Sequence, residues 1–437
     1  MRTKPDQFDK INIVTLGCSK NVVDSEFLMK QIDANYIGVV HNADSFQYKT
    51  VIINTCGFIQ DAKQESIDTI LRFIRAKENG LIRHVFVMGC LSERYKKDLE
   101  KEIPDVDMYF GANDLPGIIK HLGLNYKESL VGERVLTTPS HYAYMKISEG
   151  CDRRCAFCAI PIMRGKHVST PIEKLKEEAK SLAGSGVKEL ILIAQDLSWY
   201  GMDIYKSQAL PELLENLADI KGIEWIRLHY AYPAAFPRDV IRVMKERSTI
   251  CNYLDIPFQH ASDKVLQMMR RNHDRKQNYE LIDFIRKEIP DITLRTTLMT
   301  GHPGEGEEEF DELRQFVKEV RFDRLGVFAY SEEEDTWAAD KYEDLIPLEV
   351  KKERAAELME LQQGISKELN LSKINKSIKV LIDRKEGEYY IGRSEADSPE
   401  VDNEILIPAV SKKLHNGQFY NVKITGAEEF DLYGEVE

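Results

Sequence analysis

The chain has 437 residues, of which 43% are hydrophobic and 30% charged, and its formal net charge is −13. This length allows two to four domains with substantial cores, and the composition is that of a globular protein. The negative charge argues against a protein that binds nucleic acid through its phosphates and favours a cationic partner. Because no apolar run could span a bilayer and the amino terminus has no signal-peptide pattern, we expect a cytoplasmic protein with no membrane association. Because the net charge is negative, we also expect no direct DNA binding.

The first third of the chain alternates strand and helix patterns. This alternation predicts a parallel α/β sandwich domain over residues 1–135. The predicted strands are Ile11–Leu16, Thr50–Phe58 and His84–Cys90, and the predicted helices are Val22–Gln31 and Asp61–Glu78.

Three cysteines stand where these strands end, namely Cys18, Cys56 and Cys90. In the cytoplasm thiols stay reduced, so clustered cysteines indicate metal ligands or catalytic groups rather than disulfides. The carboxyl ends of parallel strands share one edge of a sheet, which is where ligands bind. We therefore expect the three cysteines to converge, although any one of them alone would be an ordinary core residue.

Residues 136–374 carry six further strand–helix units. They predict a β/α barrel or partial barrel with its active site at the carboxyl ends of the strands, followed by a connecting helix over Glu349–Leu371. Residues 375–437 show period-two patterning and predict a small all-β module. The predicted barrel strands are YAYMKISEGC, which runs into the next motif, and Glu189–Gly201, Trp225–Pro233, Tyr253–Ser262, Thr293–Glu305 and Arg324–Ser331.

A second cysteine group, Cys151, Cys155 and Cys158, lies within the segment GCDRRCAFCAIPIMRG. Zinc usually takes four ligands in paired short spacings, so a zinc site would need a distant fourth ligand such as His167. Thiolates are the normal ligands of iron–sulfur clusters. Three cysteines would hold three irons of a 4Fe–4S cube and leave the fourth iron open to a substrate.

This Cys-x3-Cys-x2-Cys motif follows a first barrel strand and has Phe157 just before its third cysteine, and in both respects it resembles the radical S-adenosylmethionine (SAM) superfamily. The resemblance implies that the open iron binds the amino and carboxylate groups of SAM. It also implies that one electron cleaves SAM to a 5′-deoxyadenosyl radical, which abstracts hydrogen from the substrate. The protein then serves to position the cofactor and exclude water.

Three other segments resemble the superfamily less closely. Gly301 and Gly304, in TTLMTGHPGE, match the segment that passes near the SAM adenine, although a simple turn explains a Gly-Pro-Gly sequence equally well. Gln195 or Asp196, in AQDLSWYG, stands where the superfamily contacts the SAM amine. His260, in PFQHAS, ends another strand at the barrel mouth and is either a functional or a structural histidine.

The two cysteine groups and the carboxyl-terminal module together resemble the methylthiotransferase family along nearly the whole chain. The resemblance implies a second 4Fe–4S cluster on Cys18, Cys56 and Cys90 that supplies sulfur, and a TRAM-like β domain at the carboxyl terminus. It also implies two SAM molecules per turnover and a flavodoxin-type electron donor. Cys251 matches neither group and is interpreted as an ordinary buried thiol.

Two branches of this family differ in substrate: one modifies the β-carbon of an aspartate in small-subunit ribosomal protein twelve, and the other an isopentenylated adenosine in tRNA. The segments Ser19–Asn21 and Ile162–Arg164 resemble the first branch, since the second would carry Gln-Met-Asn and Tyr-Thr-Arg there. We therefore predict a 3-methylthioaspartyl product. The tRNA enzyme remains the alternative enzymatic function, and an iron–sulfur cluster carrier the alternative outside catalysis.

The charge of the carboxyl-terminal module offers a partly independent argument. From residue 375 onward it holds eight lysines and arginines against thirteen aspartates and glutamates, a net charge of −5. Such a module would repel phosphate and attract a basic ribosomal protein, chiefly through Asp383–Glu404 and the residues from Glu428 to the end. The alternative is that the acidic residues only keep the module soluble.

Overall fold

The computed structural model describes residues 10–130, 132–410 and 413–437. Residues 1–9, which bear on the expected absence of a signal peptide, lie outside the described residues, as does Lys412, one of the cations counted above. The chain forms two compact units. The first comprises residues 1–138, 149–152 and 159–168, and the second comprises residues 139–148, 153–158 and 169–437.

The first unit is built on a five-stranded sheet in the order β2-β1-β3-β4-β5, with every neighbouring pair parallel. This confirms the parallel α/β fold class. The short strands β2 and β5 were not predicted. Its strands are β1 (Lys10–Thr15), β2 (Gly38–His41), β3 (Thr50–Thr55), β4 (His84–Gly89) and β5 (Met108–Tyr109). Its helices are α1 (Ser19–Asp33), α2 (Gln60–Glu78), α3 (Cys90–Glu102), α4 (Leu115–His121) and α5 (Ile160–Arg164).

Helices cover both faces of this sheet because alternate residues of the central strand point in opposite directions. Ile53 packs on one face with Phe73 of α2, and Ile52 packs on the other with Leu28 of α1 and Ile118 of α4. Burying each such side chain contributes roughly 1.5–3 kcal/mol relative to leaving it exposed. The two apolar layers therefore hold β1, β3 and β4 in register, so that their carboxyl ends lie at one edge.

The second unit begins with a six-stranded parallel sheet in the order β6-β9-β10-β11-β12-β13. Strands in chain order with intervening helices are the arrangement expected for a partial β/α barrel. The strands are β6 (Tyr142–Lys146), β9 (Glu189–Ile193), β10 (Trp225–Leu228), β11 (Ile250–Asp255), β12 (Thr293–Thr300) and β13 (Arg324–Ala329), and the two-residue strands β7 (Ser148–Glu149) and β8 (Val168–Ser169) follow β6 along the chain.

Helices follow most strands of this sheet, and the last helix is the predicted connector. None of the helices in the described residues is both long enough and apolar enough to cross a membrane. The helices are α6 (Ile172–Gly184), α7 (Leu210–Ala218), α8 (Asp239–Glu246), α9 (Asp263–Met268), α10 (Arg275–Glu288), α11 (Glu307–Val320), α12 (Trp337–Lys341) and α13 (Leu348–Leu371).

The carboxyl-terminal residues form a closed barrel in the order β14-β15-β16-β18-β17, which confirms the predicted small all-β module. Its interior is filled by aliphatic side chains, among them Val380, Ile405 and Val422. The strands are β14 (Ser377–Glu386), β15 (Tyr389–Arg393), β16 (Ile405–Pro408), β17 (Phe419–Ala427) and β18 (Leu432–Val436).

Within the second unit, this module contacts the beginnings of the β6–β13 strands through buried ion pairs. Glu189, the first residue of β9, accepts from Arg227 and from Arg393, each at 2.8 Å. Arg324, the first residue of β13, is paired with Asp397. Burial acts to raise the pKa of Glu189, but Arg393 and Arg227 outweigh it and hold that pKa below its ordinary value. The carboxylates at this contact are therefore ionised and neutralised internally.

These contacts correct the interpretation of the acidic segment Asp383–Glu404 as a surface for a basic partner at three of its carboxylates, Asp383, Asp397 and Asp402, which are engaged within the second unit. Asp383 lies 2.6 Å from Arg393, and Asp402 accepts a hydrogen bond from Tyr253 at 2.7 Å. Glu400 accepts from Tyr144 at 3.1 Å. A run of acidic residues along one segment does not reveal the arginines that face it, because those arginines come from other strands.

Candidate active site

Cys18, Cys56 and Cys90 lie together at the carboxyl edge of the first sheet, as the sequence predicts. A Cβ placed on Gly17 would lie 2.6 Å from Cys56 Cβ and 2.9 Å from Cys56 Sγ. A Cβ on Gly57 would lie 3.0 Å from the carbonyl carbon of Cys90. Each cysteine thus has a glycine beside it where its segment touches a neighbouring segment, and Gly17 also has a φ of +86°, which favours glycine.

The environment of these thiols is mostly buried and includes the cation Arg164. Cys56 and Cys90 are each 8% exposed, whereas Cys18 is exposed. Burial raises the pKa of the Cys90 thiol to about 11, and Arg164 opposes that rise. Burial likewise raises the pKa of Cys56, again with Arg164 acting to lower it. A thiolate at this position would be stabilised by a positive charge, and Arg164 supplies one.

Arg164 was not singled out as a site residue by the sequence, although it stands in the quoted motif as the Arg of IMRG. Its side chain is 4% exposed, and its Nε lies 3.1 Å from Cys90 Sγ. Its two terminal nitrogens contact Asn21 Oδ1, Asp24 Oδ2 at 2.7 Å and Glu149 Oε2 at 3.3 Å. The only indication of this role in the sequence is that Arg164 is a charged residue within an otherwise apolar segment, AIPIMRG.

The first cysteine group offers a donor set of the kind that iron–sulfur clusters take. In the described parts of the chain, no three His, Cys, Asp or Glu side chains converge on a point where they would ligate one ion. A mononuclear site needs all its donors within roughly 2.0–2.3 Å of the same ion. A cluster instead distributes its thiolates over separate irons, and an all-thiolate donor set is the one that iron–sulfur clusters take.

The second cysteine group is divided between the two units. In the first unit, Cys151 N donates to Gly165 O at 3.1 Å, and Gly150 has a φ of +74° in a turn so tight that a Cβ there would lie 2.0 Å from Lys166 O. In the second unit, Cys158 N donates to Cys155 O at 3.2 Å.

Aromatic side chains surround the end of this motif in the second unit. Phe157 packs against Ala156, Tyr330 and Ala338, and its ring centroid lies 6.3 Å from that of His302. Burial lowers the pKa of His302 to about 4, so this ring is neutral near pH 7. Phe157 therefore anchors the end of the motif against an apolar cluster.

Two arginines that the sequence analysis did not single out lie near the carboxyl ends of the barrel strands. Arg153 is held between the rings of Trp199 and Tyr232, with centroid distances of 4.4 and 4.2 Å. Arg271 also stacks on Tyr232, with its Cζ 4.2 Å from the ring centroid. Its Nη1 lies 3.5 Å from Cys155 Sγ. Guanidinium groups on aromatic rings are favourable contacts, worth about 0.5–2 kcal/mol each.

The two residues predicted to contact the SAM amine lie directly after β9. Asp196 is 2% exposed, pairs with Arg153 Nε at 2.8 Å and accepts from Ser198 N at 2.9 Å. Its carboxylate is thus already engaged by protein groups, and it positions Arg153. Gln195 is only partly buried, and a contact with the SAM amine stays a prediction for it.

His260 and the two glycines have structural explanations. His260 is fully buried, its Nε2 lies 3.1 Å from Glu305 Oε2, and its Nδ1 accepts from Ser262 N at 2.9 Å, which favours the structural alternative for this histidine. Gly301 and Gly304 have φ values of +73° and +93°, and a Cβ on them would lie 2.1 Å from Lys351 Cγ and from Met268 Sδ, respectively. Both glycines are thus required by the turn itself.

Cys251 lies apart from both groups, in a small apolar cluster with Trp225, Tyr253 and Leu381. It is fully buried, and burial raises the pKa of its thiol to about 12. This confirms its interpretation as a buried thiol.

Comparisons with known proteins agree with this organisation. Residues 145–317 match the radical SAM superfamily, residues 10–111 the Uncharacterized protein family UPF0004, and residues 374–436 the TRAM domain. The radical SAM match implies a 4Fe–4S cluster and SAM as cofactors. Among solved structures, the radical SAM methyltransferase TsrM from Kitasatospora setae superposes with a TM-score of 0.54 at 12% identity, over 73% of this chain and 72% of that one, which shows a shared fold.

Similarity to curated proteins extends over the whole chain. The ribosomal protein uS12 methylthiotransferase RimO of Cytophaga hutchinsonii is 59% identical over 436 residues, covering 100% of both chains. The protein of the same name from Bacteroides thetaiotaomicron is 56% identical over 427 residues, covering 98% of both. The chain therefore belongs to the radical SAM methylthiotransferase family of RimO.

Proposed function

We propose that this enzyme transfers a methylthio group to the β-carbon of an aspartate in ribosomal protein uS12. The observation that carries this substrate assignment is the 59% identity that extends over all of both chains, including both cysteine groups and the carboxyl-terminal module. The segments Ser19–Asn21 and Ile162–Arg164, which separate the two branches of the family in the sequence analysis, support the same choice.

Two 4Fe–4S clusters are proposed, one on each cysteine group. Cys151, Cys155 and Cys158 would hold the cluster to which SAM binds, and Cys18, Cys56 and Cys90 would hold the second. When bound, the clusters supply the electron for reductive SAM cleavage and the sulfur for transfer. The close approach of Gly17 to Cys56 supports the second assignment, because that approach brings two of its three thiol-bearing segments into contact.

The chain's own groups orient the ligands. Phe157 packs with Ala156, Tyr330 and Ala338 and so fixes the chain between Cys155 and Cys158. Arg271 has no carboxylate within ion-pair distance among the described residues, and its guanidinium donates to Pro257 O and contacts Cys155 Sγ. A cation in this position suits the carboxylate of a bound ligand.

The remaining parts of the proposal concern the cell rather than the site. The enzyme would act in the cytoplasm on uS12, either free or within the ribosome, and a flavodoxin-type protein would supply electrons. Two SAM molecules would be used per turnover, one as the methyl donor and one for radical formation.

The decisive experiment is anaerobic reconstitution followed by incubation with SAM, a reductant and either uS12, small ribosomal subunits or isopentenylated tRNA. We expect the mass of a methylthio group to appear on an aspartate of uS12 and none on the tRNA. Modification of the tRNA with uS12 and the subunits untouched would overturn the substrate assignment. Failure to cleave SAM in any mixture, with iron–sulfur clusters passed on to an acceptor protein, would instead favour a cluster carrier.

A further inference from the structure

We propose that Arg164 is a positioning residue for the sulfur-supplying site: it holds the Cys18, Cys56 and Cys90 segments in one arrangement and sets the reduction potential of the cluster there. The part that concerns a cluster rests on the proposed function. The part that concerns the arrangement of the three segments rests only on contacts within the first unit.

The link runs through Asn21, which is fully buried. The Asn21 amide nitrogen donates to Leu16 O at 2.7 Å and to Thr55 O at 3.1 Å. These two carbonyls stand just before Gly17-Cys18 and directly before Cys56, so one side chain ties together the ends of β1 and β3. The other end of the Asn21 amide, Oδ1, accepts from Arg164 Nη2.

Arg164 joins the third segment to this pair. Its Nε reaches Cys90 Sγ at 3.1 Å while its Nη2 holds Asn21. The planar guanidinium is suited to this task because its donors diverge in a rigid fork, whereas a lysine ammonium would satisfy fewer partners at once. Met163, the residue before it, packs with Cys90 and Ala159 and fixes where the arginine side chain starts.

The charge of Arg164 faces two carboxylates as well as the thiol. Asp24 Oδ2 lies 2.7 Å away and Glu149 Oε2 lies 3.3 Å away, both bound to Nη1. Removing the guanidinium would take a positive charge away from beside these two carboxylates and would remove a hydrogen bond to one of the proposed sulfur ligands. Both changes disfavour the reduced, more negative cluster, because hydrogen bonds to sulfur and local charge set cluster potentials.

The test compares Arg164→Met and Arg164→Lys with Arg72→Met, an exposed arginine of the same unit that is paired with Asp44. The variants are made in the full chain, in a background in which Cys151, Cys155 and Cys158 are alanine, so that only the proposed second cluster remains. The readouts are its reduction potential, measured by redox titration with electron paramagnetic resonance, and bound iron. We expect Arg164→Met to lower the potential and lose most of the iron, Arg164→Lys to shift the potential less, and Arg72→Met to change neither.

A second readout uses the apo form of the same variants. Hydrogen exchange of peptides spanning residues 16–22 and 54–58 should rise in both Arg164 variants and stay unchanged in Arg72→Met. Unchanged hydrogen exchange in strand β6, which precedes the Cys151–Cys158 motif, serves as the check that each variant is folded.

The two parts of the proposal fail in different ways. If the background chain binds no iron, the two-cluster function is wrong, and the exchange measurement alone decides whether Arg164 links the segments. If the background chain binds iron but Arg164→Met leaves its potential, its iron and the exchange unchanged, the role of Arg164 is overturned while the two-cluster function stands.

Discussion

The two cysteine groups are brought together by opposite structural routes. Cys151, Cys155 and Cys158 lie within eight residues on one loop, so a short segment specifies them all. Cys18, Cys56 and Cys90 are spread over 73 residues and are assembled only because β1, β3 and β4 end at the same edge of a sheet. The first arrangement needs local turns, and the second needs the whole core of the first unit. We expect the two groups to respond differently to mutation for that reason.

The largest expected effect follows from removing the local group. Replacing Cys151, Cys155 and Cys158 by alanine should abolish reductive SAM cleavage, since the proposed SAM-binding cluster is lost, and should leave roughly half the iron of the wild-type chain. Chromatography of 5′-deoxyadenosine and an iron assay measure this. Complete loss of iron from a folded variant would show that the two groups do not bind clusters independently.

Removing the assembled group should separate cleavage from transfer. With Cys18, Cys56 and Cys90 replaced by alanine, the chain should still form 5′-deoxyadenosine but yield no methylthio product, because only the proposed sulfur source is missing. Mass analysis of uS12 alongside the nucleoside assay checks both halves. Normal product from this variant would rule out a sulfur-supplying cluster at the sheet edge.

A region without cluster ligands distinguishes loss of stability from loss of chemistry. Asp397→Asn breaks the buried pair with Arg324 and should lower the free energy of unfolding by about 3–5 kcal/mol. Glu404→Gln, at a surface pair with Arg384, should cost about 0–1 kcal/mol. Denaturant unfolding of both variants, with iron content measured in parallel, tests this, and we expect the iron of the folded Asp397→Asn chain to equal that of the wild type.

The same pair has a defined pH dependence. Burial acts to raise the pKa of Asp397, but Arg324 and Lys373 outweigh it and hold that pKa below its ordinary value of 3.8. The stabilisation is therefore complete above pH 3.8 and is lost as the pH falls through the lower pKa of the folded state. In the apo chain, the stability difference between wild type and Asp397→Asn should shrink on acidification below that value. A difference that grew on acidification would contradict an ionised Asp397.

A smaller effect is expected from Gly17, which allows the Cys18 segment to approach Cys56 closely. Gly17→Ala places a Cβ 2.6 Å from Cys56 Cβ at a φ of +86°, so it should cost more than the strain of the left-handed conformation, which is about 1–2 kcal/mol. Gly80→Ala is the matched control, because its φ is +70° and a Cβ there has nothing within 4 Å. We expect Gly17→Ala alone to lose iron from the first group, and equal iron in both variants would refute the close approach as a requirement.

The smallest effect concerns the acidic residues that remain at the surface of the carboxyl-terminal module. Glu388 and Glu435 are exposed, unlike the carboxylates that face the barrel strands. Reversing both to lysine should slow association with uS12 severalfold at low salt, since exposed charges act over a screening length of about 8 Å at physiological ionic strength. Association rates measured over a salt titration test this. A rate that changes neither with the mutation nor with the salt concentration would exclude an electrostatic role of this module in substrate binding.

The sequence alone was sufficient for the features that depend on short-range pattern. The alternation of strand and helix patterns predicted the parallel sheets, and the period-two patterning predicted the β module. The structure contains both. Even the convergence of Cys18, Cys56 and Cys90 followed from topology, because parallel strands joined by helices must end at the same edge.

Only the tertiary structure revealed which charged side chains meet. Arg164 is six residues beyond Cys158 in the chain, yet its partners Asn21 and Cys90 come from two other segments. The acidic run after Asp383 looked like a surface because two of its partners, Arg295 and Arg324, belong to barrel strands far away in sequence. Backbone periodicity follows from local geometry, but the partner of a buried charge is chosen by packing between distant segments, since an ion is buried only where the whole fold supplies its counter-ion.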